Sequence, residues 1–413
     1  MLGKKIILGS TALGLMSLGA GAGAVPFSSF DPRSFGMGGA GVAAGTSANA
    51  VFLNPALLAA ARADEDFSLD LPIVGGRVSD PDELVDAIDE FSDQDPIGDF
   101  SAAVDAYTAT SGSTTAAAVE AAGAALIGQL RNLSDKALTG EGDAAVVIGI
   151  PGREFGISVF ANAYVVGGAT DEITDADLAA IQQTVDDALD SQPVTDPTDT
   201  LTSSVSARFA YLSEVGVSIA REFDVLGGIA VGLTPKYVSV RTYDYRFIGN
   251  EIDDAEVDLD QGERKDSGFN VDVGFAKDHG NGWKSALTIR NLLAREYETS
   301  LGNTFRIEPM ARLGVAHQNE WVTVAADIDL TENEPAGFDS KTQYAALGVE
   351  FDLFDTAQLR LGYRHNMSDV PAGVEQGVAA AGIGFSPFGV HFDLGVAGNG
   401  DEIGAAMQLG FRF

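Results

Sequence analysis

The chain has 413 residues, 60 acidic against 25 basic, and a formal net charge of −35 with no cysteine. So acidic a surface excludes nucleic acid as a partner, because phosphate recognition draws on stripes of Lys and Arg, and without thiols there is neither a disulfide framework nor a thiolate metal site. Nowhere is there the uninterrupted apolar run of roughly 20 residues that a membrane-spanning helix needs, which excludes a helical membrane protein.

Taken in chain order, residues 1–24 form the first unit. Lys4 and Lys5 precede the apolar run Ile6–Leu18, and small-x-small sites end at Ala22 and Ala24. This is the layout of a secretory signal peptide, with cleavage expected after Ala24. Next comes Phe35-Gly36-Met37-Gly38-Gly39-Ala40-Gly41, followed by Asn54-Pro55-Ala56. A dinucleotide fingerprint would need a strand before these glycines and a βα unit after them, and a phosphate loop would need a Lys-Ser/Thr pair. Neither requirement is met.

From residue 143 to the end, and in one segment near 66–78, apolar residues alternate with small or charged ones at a period of two. In Trp321–Leu330, Val322, Val324, Ala326, Ile328 and Leu330 share one face while Thr323, Asp327 and Asp329 share the other. Fourteen such segments are expected, at 66–78, 143–150, 154–167, 211–223, 226–247, 267–278, 282–291, 305–316, 320–330, 342–354, 357–365, 375–386, 388–398 and 402–413. The links between them alternate short and long, as periplasmic turns and outer loops do in an outer-membrane barrel. The expected fold is therefore all-β: an antiparallel transmembrane β-barrel of about 14 strands, its apolar faces toward lipid, occupying residues 65–413. A soluble sandwich would turn the same faces toward a core.

Two long links carry helical rather than extended patterns. In 168–210 the residues Ile173, Leu178, Ile181, Val185 and Leu189 recur at helical spacings after an Asp or Thr cap. In 79–142, Leu84, Val85, Ile88 and Phe91 give a shorter pattern, followed by an Ala-rich stretch at 116–130. These are expected as acidic helical inserts at the outer mouth, packed on each other or on the barrel. Partly disordered acidic loops are the alternative.

The last strand sets Ile403, Ala405, Met407, Leu409, Phe411 and Phe413 on one face. A final amphipathic strand closing on Phe resembles the signal read by the barrel assembly machinery, which assigns Leu409, Phe411 and Phe413 to assembly. Catalysis finds no motif: His279, His317, His365 and His391 are expected to sit alone, His365 beside Asp369 being the nearest thing to a rim site. The carboxylates Asp253, Asp254, Glu256, Asp258, Asp260 and Glu263 lack the glycine and spacing of an EF-hand. No enzyme, cofactor or metal is expected.

The run "RSFGMGGAGVA", a short polar step, "NPALLA" and then a first strand resemble the N-terminal hatch of the long-chain fatty acid transporter (FadL) family. In that family the segment plugs a 14-stranded barrel, and hydrophobic substrates enter from outside and leave laterally or through a shift of the hatch. The resemblance makes residues 25–64 a hatch and assigns gating to Phe35, Gly36, Gly38, Gly39, Gly41, Asn54, Pro55 and Ala56. The acidic inserts, "SEVGVSIAREF" at 213–223 and "GLTPKYVSVRTYDY" at 232–245 look more like a sibling group described as conjugal transfer TraF-like. Two functions follow: passive passage of small hydrophobic molecules, with outer-membrane lipids and the assembly machinery as partners, or a conjugation-associated barrel whose acidic outer loops bind a protein partner. A soluble periplasmic all-β protein is a third class.

Overall fold

The computed structural model describes residues 5–7, 30–59, 67–252, 256–258, 262–333, 341–354, 356–369 and 376–412. The expected signal peptide cleavage site, Phe413 and the loop carboxylates Asp253, Asp254 and Asp260 lie outside these. Fourteen strands close into one barrel. They are β1 (Ser68–Ser79), β2 (Ala137–Ile150), β3 (Gly156–Glu172), β4 (Ser204–Phe223), β5 (Ile229–Ile248), β6 (Arg264–Gly280) and β7 (Trp283–Arg290), then β8 (Met310–Gln318), β9 (Val322–Asp329), β10 (Tyr344–Leu353), β11 (Ala357–Asn366), β12 (Gly377–Phe385), β13 (Val390–Gly398) and β14 (Glu402–Arg412). Each pairs antiparallel with its successor, and β14 closes on β1 with Gly410 opposite Asp70 and Arg412 opposite Ser68.

Side-chain direction separates the barrel from the sandwich. On β9, Val324 and Ile328 are 43% and 40% exposed, whereas Thr323 and Asp327 are buried at 4%. On β10, Leu347 and Phe351 point outward while Glu350 is buried; on β13, Phe392 and Val396 point outward while His391 and Asp393 are buried. Apolar outside and charged inside is the pattern of a barrel solvated by lipid, the reverse of a soluble core.

Six tight turns gather at one end, among them Asn281-Gly282 between β6 and β7, with φ of 53° and 81°. Both residues of a two-residue turn of this hand need positive φ, and Asn-Gly accepts that more readily than any other pair. The long links leave from the opposite end, in the expected parity.

The strand ends differ from expectation where the outer inserts begin. β2 starts at Ala137 rather than 143, β3 runs to Glu172 and β4 starts at Ser204. These extensions give the inserts a wall to pack on: Ala169, Val205 and Ala207 are buried in one apolar core with helices α3 (Leu84–Gln94), α4 (Pro96–Ala109), α5 (Ser113–Leu133) and α6 (Asp175–Leu189), so the inserts are ordered helices. Phe91, Phe100, Val119, Leu126 and Ile181 are wholly enclosed there, each such side chain worth about 2 kcal/mol of burial. Helix α4 is an addition to the sequence reading. Its start is written in Asp95-Pro96: the Asp95 carboxylate accepts from Gly98 N–H at 3.0 Å, and Pro96 fills the first turn. The cap of α6 is Thr174.

A second correction concerns 305–316. Thr304–Ile307 pairs with Arg295–Glu298 in a separate hairpin, and β8 begins only at Met310. Pro309 lacks the N–H that would carry the ladder across the gap.

Candidate functional site

Residues 30–59 fold inside the barrel. Short helix α1 (Pro32–Gly36) starts on Asp31, whose carboxylate accepts from Ser34 N–H at 2.8 Å, and α2 (Ala50–Leu53) leads to a 3-10 turn at Pro55–Leu58. Asn54 caps that turn through Ala56 N–H at 3.0 Å, while its amide donates to the wall carbonyl of Phe275 on β6 at 3.1 Å. Phe35, Met37, Val42, Leu53, Asn54 and Ala56 are buried.

Glycines of the wall make the space for this segment. A Cβ on Gly362 of β11 would run into the backbone of Met37-Gly38, and one on Gly274 of β6 would run into the Asn54 side chain. Gly38 and Gly39, at φ of 70° and 93°, turn the segment where it crosses β11. Thus Phe35, Gly36, Gly38, Gly39, Gly41, Asn54, Pro55 and Ala56 all meet in one plug.

Charged contacts fasten the plug. Arg33 clasps Glu350 of β10 through Nε at 2.8 Å and Nη2 at 2.7 Å, and its Nη1 donates to Ala44 O at 2.5 Å. Glu350 also accepts from Arg360 of β11 at 2.6 Å, and Arg360 donates to Asp393 of β13 at 2.6 Å. On the other side, one oxygen of Asp327 on β9 accepts from the N–H groups of Gly41 and Val42 at 2.7 and 2.9 Å. Sequence reasoning missed these residues. A signal existed, since Asp31 and Arg33 are the only charges between Val25 and Ala60.

Below the plug, at the turn end, a polar cavity of about 190 Å³ is lined by Arg33, Lys284, Glu350, Asp352, Arg360 and Arg412 among others. Above it lies an apolar cluster. Phe30 and Phe35 of the plug join Tyr164, Leu212, Val238, Val240 and Val378 of the wall in one buried cluster. Into the same cluster the hairpin 295–307 inserts Tyr297, Phe305 and Ile307. Its tip is held by Asp244 of β5, which accepts from Thr299 Oγ1 at 2.6 Å and Asn303 Nδ2 at 2.8 Å and pairs with Arg208 at 3.2 Å.

Of the histidines, His279, 2.8 Å from Ser285 Oγ, and His391 do not sit alone. The Nε2 of His391 lies 2.6 Å from Asp70 Oδ1 and 3.1 Å from Gln408 Nε2, at the seam where β13, β14 and β1 meet. The alternation on β13 turns its side chain into the lumen, where a polar ring needs partners. His365 lies within β11 and Asp369 in the loop beyond it. Leu409 and Phe411 stand on β14, Leu409 on its outward face.

No curated protein matches the sequence. Among solved structures, the toluene transporter TbuX of Ralstonia pickettii is similar at a TM-score of 0.53 with 11% identity, over 94% of this chain and 99% of that chain. The toluene transporter TodX of P. putida is similar at 0.50 and 12%, over 92% and 98%. A TodX mutant described as a monoaromatic hydrocarbon channel reaches 0.53 and 12%, over 95% and 99%. These likenesses show the fold alone: a closed barrel of the same kind as in those transporters. The model of the family described as "F plasmid transfer operon, TraF, protein" matches residues 51–329, more than half of the chain, and the chain belongs to that family.

Proposed function

We propose that the protein is an outer-membrane barrel through which small hydrophobic molecules pass passively, from the outer mouth to the plug and past it when the plug shifts. The observation that carries this reading is the apolar cluster above the plug. A barrel whose wall also buries charged residues such as Lys236, Glu214 and Asp272 holds there an enclosed set of aromatic and aliphatic groups, and Tyr297, Phe305 and Ile307 of an outer loop fill it. Such groups are the natural stand-ins for a hydrophobic solute, which would enter by displacing the hairpin. The relatives whose names state toluene or monoaromatic transport share the fold and lend the same direction.

Outer-membrane residence accords with the outward apolar face, and Leu409, Phe411 and Phe413 are proposed as the signal for assembly. The test is toluene entry into vesicles bearing lipopolysaccharide in the outer leaflet, with and without the protein. Faster entry with the native chain supports the reading. If neither the native chain nor one lacking 30–58 raises entry above empty vesicles, the transport reading is lost.

A second reading follows from the family and the helical cap: a conjugation-associated barrel whose acidic outer helices bind a partner. Its mark would be loss of mating on deleting 80–136 with toluene entry preserved.

A further inference from the structure

Between the apolar cluster and the outer mouth, two guanidinium groups flank one tyrosine. Arg77 on β1 and Arg364 on β11 lie 5.9 and 5.3 Å from the centroid of the Tyr344 ring. Each has a carboxylate: Arg77 Nη2 meets Glu141 at 2.5 Å, and Arg364 Nη2 pairs with Glu402, an oxygen of which also stands 4.0 Å from Arg77 Nη1, beyond hydrogen-bond reach. The other oxygen of Glu141 accepts from the Tyr164 hydroxyl at 2.6 Å, and Tyr164 belongs to the apolar cluster. The set is thus neutral overall, two cations against two anions.

It is also unsaturated. Arg77 is only 8% exposed, yet its Nη1 and the Nε of Arg364 find no hydrogen-bond acceptor among the described residues. Arg77 borders the plug: a Cβ on Gly404 would lie 2.9 Å from both the Arg77 Cβ and the Phe35 ring. Two buried donors without acceptors therefore stand at the margin of the apolar cluster.

We propose that Arg77 and Arg364 form a polar subsite that binds the acceptor oxygen of an uncharged hydrophobic molecule, such as an aldehyde, ketone or ester. The proposal rests on the transport reading and narrows its substrate class. A hydrocarbon filling the cluster leaves both donors unpaired, whereas a carbonyl oxygen offers the acceptor that each lacks. A carboxylate meets the same donors, but Glu141 and Glu402 already neutralise them and repel a further anion in a low-dielectric lumen.

The experiment uses the whole protein in lipid nanodiscs, empty nanodiscs as the blank, and 19F spectra of 4-fluorotoluene, 4-fluorobenzaldehyde and 4-fluorobenzoate. The aldehyde is expected to bind about tenfold more tightly than the toluene, the worth of one charge-assisted hydrogen bond, with the benzoate weakest. Arg77→Met with Glu141→Met, which conserves net charge, should reduce that ratio toward one. Arg364→Lys, which retains the pair with Glu402 and lacks Nε, should lower it in part. Equal affinity for aldehyde and toluene in the native protein would mean that water serves the donors, and the subsite is then wrong while transport stands. A preference that survives in a folded double variant also overturns it. If none of the probes binds, the transport reading falls with the subsite.

Discussion

Replacing Arg33 with Met should loosen the plug without unfolding the barrel. The wild-type side chain makes two bonds to Glu350, at 2.8 and 2.7 Å, and one to Ala44 O at 2.5 Å. Both partners are largely desolvated, at 11% and 9% exposure, so the pair is not a screened surface bridge. Breaking a buried pair costs about 3–5 kcal/mol when the remaining charge is left alone. Here Glu350 keeps Arg360 at 2.6 Å, and Met preserves most of the packed length, so the loss should sit near the lower figure, about 3 kcal/mol. At 1.4 kcal/mol per decade that is about a hundredfold increase in plug opening. Amide hydrogen exchange reads it directly: residues 35–45 should lose about a hundredfold of protection, while Leu361 of β11 and its neighbours keep theirs. Unchanged protection across 35–45 would refute the assignment of Arg33 as the fastening, and an equal loss in the strands would mean that Arg33 supports the barrel instead.

Gly362→Ala should displace the plug, because its methyl would enter the Met37-Gly38 backbone; Gly128→Ala, in open space on α5, should instead stabilise its helix by up to about 1 kcal/mol, and thermal melting with plug exchange separates the two. Asp177 ties α6 to the start of β4: burial raises the pKa of its carboxyl, but the Ser203 hydroxyl and N–H, the Thr202 N–H and Thr174 outweigh that and hold it below the usual carboxylate value. A depressed folded-state pKa gives stability that is present above the unfolded value of about 3.9 and lost as pH falls through the folded one. The cap should therefore become pepsin-sensitive below about pH 4, and Asp177→Asn should remove that pH dependence; a cap equally resistant at pH 5 and pH 3 would contradict the linkage.

The barrel was legible because lipid and lumen impose opposite demands on successive residues, so Val324 and Asp327 betray their faces without knowledge of any partner. Loop parity was legible for the same reason, since turns such as Asn281-Gly282 need particular backbone angles. The plug was visible through its glycines and Asn54-Pro55, which carry local conformational meaning. Its fastenings were not, because Arg33 and Glu350 stand 317 positions apart and Gly41 and Asp327 286 apart, and no local pattern records such a pairing. The inserted hairpin at 295–307 was read partly as strand because its alternation is genuine; only its place inside the lumen distinguishes it. Helix α4 was missed although Ile97, Phe100, Val104 and Tyr107 recur on one face behind Asp95-Pro96.

The proposal that the plug controls passage through the lumen is open to test by a reversible lock. The chain has no cysteine, and an added Cβ on Gly314 of β8 would lie 3.0 Å from the Cβ of Val42, near the separation of about 3.5–4.5 Å in a disulfide; it would also press on the Asp327 carboxylate, so the reduced double variant is the reference. Toluene entry should be measured for the Val42→Cys, Gly314→Cys protein in lipopolysaccharide-bearing vesicles, oxidised and then reduced. Entry should fall to near the empty-vesicle rate when oxidised and recover on reduction. Equal entry in both states, with the disulfide verified, would contradict the proposal.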